Sequence, residues 1–175
     1  MNYMKIDECS ISNGLGIRTV LWVSGCSHHC LNCQNPETWD ADNGNLFDET
    51  AFEKLCTFLS MSFIDGITYS GGDPLYSTNR HTIKSISEKI HNQFPNKNQW
   101  LYTGYTWEEI IAEPDLLNAI SYIDFLVDGC FVENKKNTIL AFRGSSNQRI
   151  IDVQKTLCTN EIVLFTNQHR KDGVI

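Results

Sequence analysis

The sequence has no dense run of lysine and arginine; 14 basic residues face 21 acidic ones, giving a formal net charge of −7 over 175 residues. Such a chain is a poor partner for a phosphate backbone, so nucleic acid is not expected among its ligands. Long apolar runs are also missing, and none approaches the roughly 20 residues needed to cross a bilayer, so no membrane span is expected. Met1 to Cys9 contain no apolar stretch of the signal-peptide kind. Internal repeats, low-complexity segments and linker-like stretches are lacking, and one domain spanning residues 1–175 is expected, large enough for a real core. Hydrophobic residues at 41% and charged residues at 20% are ordinary for a globular protein, so no part is read as disordered. No acid–base dyad or Ser/His/Asp arrangement stands out. The seven cysteines are odd in number and no export signal accompanies them, which points to a reducing compartment and a cytoplasmic location.

What the sequence does have is a group of thiols. Cys26, Cys30 and Cys33, spaced x3 and x2, follow the apolar run Thr19–Val23 and leave through Gln34-Asn35-Pro36. One of three thiols is always left over from a disulfide, so a metal centre suits them better. Cysteine thiolate is the usual ligand of iron–sulfur clusters, and a [4Fe-4S] cube held by three of them keeps one iron open to a substrate. A zinc ion completed by His28 or His29 is the competing reading, since Cys3His is a common tetrahedral set.

Around this loop the periodicity alternates. Apolar residues at 52, 55, 56, 58, 59 and 63 follow the helical repeat, with Asp48, Glu49 and Thr50 as capping chemistry. A second amphipathic stretch runs from Asn79 to Phe94, and Trp107 to Ala119 reads as one or two short helices broken at Pro114. Strands are expected at 19–23, 68–70, 100–103, 123–127, 139–142 and 162–165, with 150–157 helical between the last two. Ser12 to Arg18, with Asn13-Gly14 and Gly16, reads as a turn that opens a hairpin or brings the backbone close to a neighbour. Strand–helix alternation of this kind predicts an α/β fold whose five or six mainly parallel strands, joined by right-handed crossovers, form a partial, open (β/α) barrel. Ligands then collect at the carboxyl ends of the strands, where Cys26–Cys33, Ser70–Pro74 and Thr103–Tyr105 fall. Gly71 and Gly72 would let main-chain groups approach a ligand and Asp73 could accept from a cation, or the segment is a tight turn with an aspartate cap. Asp128-Gly129 and Phe142–Arg149 also follow predicted strands, and Ser145, Ser146 and Asn147 would serve equally as helix caps.

The string Asn13-Gly14-x-Gly16-x-Arg18, then Gly25-Cys26-x3-Cys30-x2-Cys33-x-Asn35 and Thr38-Trp39, resembles the N-terminal signature of the radical S-adenosylmethionine enzymes that activate glycyl radical enzymes. Cys26-x-His28-x-Cys30, Gly71-Gly72-Asp73-Pro74, Tyr102-Thr-Gly-Tyr105, Asp128-Gly129 and Arg143-Gly-Ser-Ser-Asn-Gln-Arg149 are similar to the subgroup acting on anaerobic ribonucleotide reductases. The resemblance covers about Asp7 to Asp152. It implies a barrel of the radical S-adenosylmethionine type holding a [4Fe-4S] cluster on Cys26, Cys30 and Cys33. The open iron would chelate the amino and carboxylate groups of S-adenosylmethionine, and Ser70, Gly71, Gly72 and Asp73 would hold the amino group. Tyr102, Asp128 and Arg143 would complete the cofactor site. The superfamily commonly has an aromatic residue where this chain has Asn32, so the adenine contact would pass to the backbone of Asn32, Cys33 and Gln34. Asp73 stands where many relatives carry glutamate. One electron, from a donor such as reduced flavodoxin, would yield methionine and a 5′-deoxyadenosyl radical that takes hydrogen from a glycine of the large reductase subunit. That chemistry needs no catalytic residue beyond the cluster and bound S-adenosylmethionine, and leaves His28 and His29 without a ligand role. A radical enzyme acting on a small molecule, of the deazapurine-synthesising kind, and a non-enzymatic zinc-binding interaction module remain as other readings. Of the unassigned Cys9, Cys56, Cys130 and Cys158, Cys130 is expected nearest the site.

Overall fold

A computed structural model describes residues 1–166. The chain opens with a hairpin, β1 (Asn2–Ser10) antiparallel to β2 (Arg18–Val23), and the turn between them is the Asn13–Gly16 segment. β3 (Asn45–Leu46) adds to the outer side of β1. Then come α1 (Glu49–Leu59), β4 (Gly66–Gly71), α2 (Arg80–Gln93), β5 (Asn98–Tyr102), α3 (Trp107–Ala112), α4 (Pro114–Ala119) and β6 (Phe125–Asp128). β7 (Arg149–Asp152) runs directly into α5 (Val153–Thr159). The sheet order is β3-β1-β2-β4-β5-β6-β7, mixed and not closed. No helix among the described residues is long and apolar enough to cross a membrane.

The α/β reading stands, with corrections to its count and direction. Among the described residues seven strands form the sheet, and parallel pairing is confined to β2–β4, β4–β5 and β5–β6, while β1, β3 and β7 pair antiparallel. Ile139–Phe142 is not a strand: Ile139 is 92% exposed and Phe142 has φ +58°, so the apolar run lies on an irregular loop. Ile162–Phe165 contributes a single bridge, Leu164 to Ile151. The 150–157 segment expected to be helical starts as β7, whose β-branched Ile150 and Ile151 face opposite sides of the sheet.

Alternation along the strands sorts their side chains. Leu21, Tyr69, Leu101, Leu126 and Ile151 join Phe52, Leu55 and Leu59 of α1 and Ile83, Ile86 and Ile90 of α2 in the main core. Trp100, Val127 and Ile150 face the other side under Leu15, Tyr102, Phe125 and Phe142. Local side-chain caps start α1, α3 and α5. Asp48 accepts from the Ala51 amide at 2.9 Å, and Thr106 and Glu109 form a reciprocal capping box on α3. Asn79 before α2 does something different: its side-chain amide donates to Ser24 O at 2.8 Å and Asp73 O at 2.9 Å, tying the helix to two of the expected site loops.

Arg18 is wholly buried beneath the hairpin turn, over the Trp100 ring at 5.5 Å. Its guanidinium donates to Thr68 Oγ1 and Asn98 Oδ1, each at 2.7 Å, and to the Leu15, Ile67 and Asn98 carbonyls. Arg18→Leu would remove every one of those donors. Each buried acceptor left unpaired costs about 1–3 kcal/mol, so thermal unfolding should show a melting temperature lowered by roughly 10 °C; an unchanged midpoint would mean the guanidinium is not pinning β2, β4 and β5 together.

Candidate metal centre

At the carboxyl ends of β2, β4 and β5 lies a cavity of about 220 Å³ lined by Cys26, Cys30 and Cys33 on one side and Ser70, Gly71, Gly72 and Asp73 on the other. The cysteine loop is turned by residues in left-handed conformations just before the second and third thiols, His29 at φ +46° and Asn32 at φ +56°. Asparagine is one of the few side chains at ease there. The loop's root is held by backbone bonds from Gly25 N to Thr38 O at 2.8 Å and Cys26 N to Trp39 O at 3.1 Å.

Main-chain amides surround the thiols: Asn35 N donates to Cys33 Sγ at 3.4 Å, while the amides of His28 and His29 face Cys26 and that of Phe131 faces Cys30. Burial nevertheless pushes the Cys26 pKa up, and burial together with the neighbouring Cys130 thiol pushes Cys30 up to about 11. Buried thiolates without a cation are costly, and a metal that replaces the protons relieves that cost. The donor set therefore fits an iron–sulfur cluster, whose thiolates gain from N–H bonds to sulfur. Among the described residues no three His, Cys, Asp or Glu side chains converge on a single metal ion. A cubane takes its thiolates on separate irons, so its ligands need only line one cavity. Trp39, also on the wall, buries an indole N–H with no protein partner.

Asp73 is 1% exposed and its carboxylate is fully engaged. Oδ1 accepts from Leu75 N at 2.7 Å and Thr103 Oγ1 at 2.9 Å; Oδ2 takes Gly104 N at 3.0 Å and His28 Nε2 at 2.7 Å. The His28 pKa is raised to about 10, chiefly by that bond to Asp73, so the pair is ionic. Asp73 thus ties the cysteine loop to the ends of β4 and β5 and is not a free acceptor for a cation. The glycines beside it also work through packing. A Cβ on Gly72 would lie 2.5 Å from Gly25 O and 2.9 Å from Thr38 O, and one on Gly71 would lie 2.7 Å from Val23 O. Both are required for β4 to run against the root of the cysteine loop.

The structure brings together Cys26, Cys30, Cys33, Gln34, Ser70, Gly71, Gly72, Asp73 and Tyr102. Asn32 is exposed and does not line the cavity. Arg143 lines a second cavity of about 490 Å³ that adjoins the first, sharing Asn13, Trp22, Gln34, Tyr102 and Gly144 with it. Asp128 stands apart, facing a third cavity, with its carboxylate on the Arg149 guanidinium and the Trp107 amide. Phe131 and Gln148 line the cysteine cavity and were not anticipated as site residues; Phe131 acts through its backbone, which leaves no mark in the sequence.

The family described as a 4Fe-4S single cluster domain matches residues 12–151. The anaerobic ribonucleoside-triphosphate reductase-activating protein of Enterobacteria phage T4 is 43% identical over 150 residues, 86% of this chain and 93% of the relative. Proteins of the same description from Haemophilus influenzae and Escherichia coli K12 are 36% and 38% identical, each over at least 85% of this chain and 96% of their own length. With identity of that extent over most of both chains, and a family model that matches residues 12–151, the chain belongs to the family of anaerobic ribonucleoside-triphosphate reductase-activating proteins and carries its 4Fe-4S single cluster domain.

Proposed function

We propose that this chain is a radical S-adenosylmethionine activase that installs a glycyl radical in a large anaerobic ribonucleotide reductase subunit. The observation that carries the reading is the joint lining of one cavity by three thiols and the Ser70–Asp73 segment. On this reading Cys26, Cys30 and Cys33 hold the cluster, and the open α/β sheet is a partial barrel folded as a single domain. When bound, the cluster and S-adenosylmethionine supply one-electron chemistry that ends with a hydrogen atom taken from a glycine of the partner.

The chain's own residues bind, orient and exclude. Ser70 and the carbonyls of Gly71 and Gly72 offer acceptors to an amino group, while Asp73, saturated by its own donors, keeps the two loops in register. Cys33, Gln34 and Tyr102 form the walls next to the other two thiols. The adjoining cavity reaches Arg143, whose guanidinium Nε is buried without a protein partner, and gives an extended peptide segment a route to the first. Holding reactants in this way is where such a catalyst gains most of its rate. The protein leaves the electron donor to a separate carrier such as reduced flavodoxin, and seven free thiols suit a reducing cytoplasm.

The test mixes anaerobically reconstituted protein, S-adenosylmethionine, a one-electron reductant and the reductase, and records the electron paramagnetic resonance spectrum. A glycyl doublet that needs all four components is the expected result. Cleavage of S-adenosylmethionine without a reductase radical would favour a small-molecule substrate, and a colourless protein that takes up only zinc would remove the radical reading altogether.

A further inference from the structure

We propose that Ile11, Leu31 and Ile139 are the contact points through which the large reductase subunit docks over the opening of the thiol cavity; the inference rests on the function proposed above and assigns its partner a surface. Surface turns are ordinarily built from glycine, proline, asparagine, aspartate and serine. Three turns of this chain carry an apolar side chain out into water instead: Ile11 is 78% exposed, Leu31 75% and Ile139 92%.

Each of the three is held in place by its own turn. Across Ile11, Ser10 Oγ accepts from the Asn13 side-chain amide at 2.8 Å. Leu31 sits in the turn that Cys33 N closes on Cys30 O at 3.1 Å. Ile139 sits in the turn that Leu140 N closes on Asn137 O at 3.4 Å, and its own amide donates to Asn137 Oδ1 at 2.9 Å. The loop beyond it is pinned by the Tyr102 hydroxyl, which donates to Phe142 O at 3.0 Å. An apolar side chain kept in water adds nothing to the fold, and a partner that covers it gains the burial without first having to order the turn.

All three border the same opening. Ser10 and Ser12, on either side of Ile11, and Leu140, next to Ile139, line the cavity that holds Arg143; Cys30 and Cys33, on either side of Leu31, line the thiol cavity that adjoins it. Scattered single apolar residues on a surface need no explanation, but a set gathered around one site marks a contact surface. The occupant follows from the site it surrounds. On the proposed function a segment of the reductase has to reach the thiols, so the reductase is the protein that comes to rest on this rim, whereas a second copy of the chain seated there would close the opening to it.

The experiment measures, by anaerobic sedimentation, binding of the purified large reductase subunit to the reconstituted chain in the absence of S-adenosylmethionine and reductant. Ile11→Ser combined with Ile139→Ser should raise the dissociation constant at least about tenfold, and adding Leu31→Ser should raise it further. Phe63→Ser, an exposed apolar position before β4 and so at the opposite end of the sheet from the cavity, should leave it unchanged. Melting temperature and iron content of the double variant should match the parent, because exposed substitutions of this kind shift stability little. Unchanged affinity in the triple variant, an equal loss in Phe63→Ser, or no complex with the parent chain would overturn the proposal. So would self-association of the chain that the same substitutions abolish while affinity for the reductase is kept. Binding is read without radical chemistry: a complex that forms but yields no glycyl radical counts against the activase reading and leaves the docking surface, and a normal glycyl signal with undiminished affinity in the triple variant counts against the surface alone.

Discussion

Replacing Cys26, Cys30 or Cys33 by alanine is expected to abolish retention of the roughly four irons of a [4Fe-4S] cluster, whereas alanine at Cys9, Cys56, Cys130 or Cys158 should leave iron content unchanged. The reason lies in how the cavity is lined. The three loop thiols face it together with backbone amides around them, while Cys9 and Cys158 are exposed and Cys56 lies on α1. On the proposed ligand set, losing one thiolate would open a second iron to solvent with nothing in the loop to replace it, because His28 is committed to Asp73 and His29 packs on Trp39 at 4.7 Å. Iron and sulfide analysis with the visible absorption spectrum of anaerobically reconstituted variants decides the matter. A single-alanine variant that kept a full, stable cluster would show that another residue can serve.

Asp73→Ala should produce the largest loss of stability of any single change at the site. It removes the acceptor of His28, Thr103 and the amides of Leu75 and Gly104 in one step, inside a region where Asp73 itself is 1% exposed. Removing one partner of a buried pair costs about 3–5 kcal/mol, so a melting temperature lower by roughly 6–20 °C is expected, with iron uptake lost as the cysteine loop comes free. Asp73→Asn separates the contributions. It keeps an oxygen for the Leu75 amide and Thr103 but leaves His28 without its anion. If the ion pair dominates, Asn is nearly as damaging as Ala; if the main-chain bonds dominate, Asn restores most of the melting temperature. Wild-type stability in both variants would sink the assignment of Asp73 as the joint between the loops.

The parallel core and the thiol loop were legible because they are written in side chains. Continuous apolar runs such as Thr19–Val23 mark strands buried on both faces, and the x3, x2 cysteine spacing marks a ligand-gathering loop. The edges were harder. β1 carries many half-exposed polar residues and offers no clear strand pattern in the sequence, yet it pairs with β2 through most of its length. The run Ile139–Phe142 has strand composition, but no neighbour offers it a ladder and it stays irregular. Within the site, the glycines and the aspartate were recognised for their residue types and given a ligand-facing role. Their geometry is one of packing and tethering: Gly25 O occupies the space of a Cβ on Gly72, and the Asp73 carboxylate is taken up by His28, Thr103 and the amides of Leu75 and Gly104. Backbone donors such as the Phe131 amide leave no trace in composition or periodicity.

The thiol cavity is assembled from segments that are far apart along the chain. The Phe131 amide faces Cys30, and the 129–131 turn is in turn held by Asn147 and Gln148. During synthesis at the ribosome the three thiols emerge early, long before the segment that supports them. Such non-local contacts are made late in folding, and N-terminal elements must wait for their partners. If these thiols hold the cluster as proposed, stable metal loading would follow completion of the chain, because a nascent polypeptide ending before Gln148 would expose the cysteine motif without the shell that shelters it.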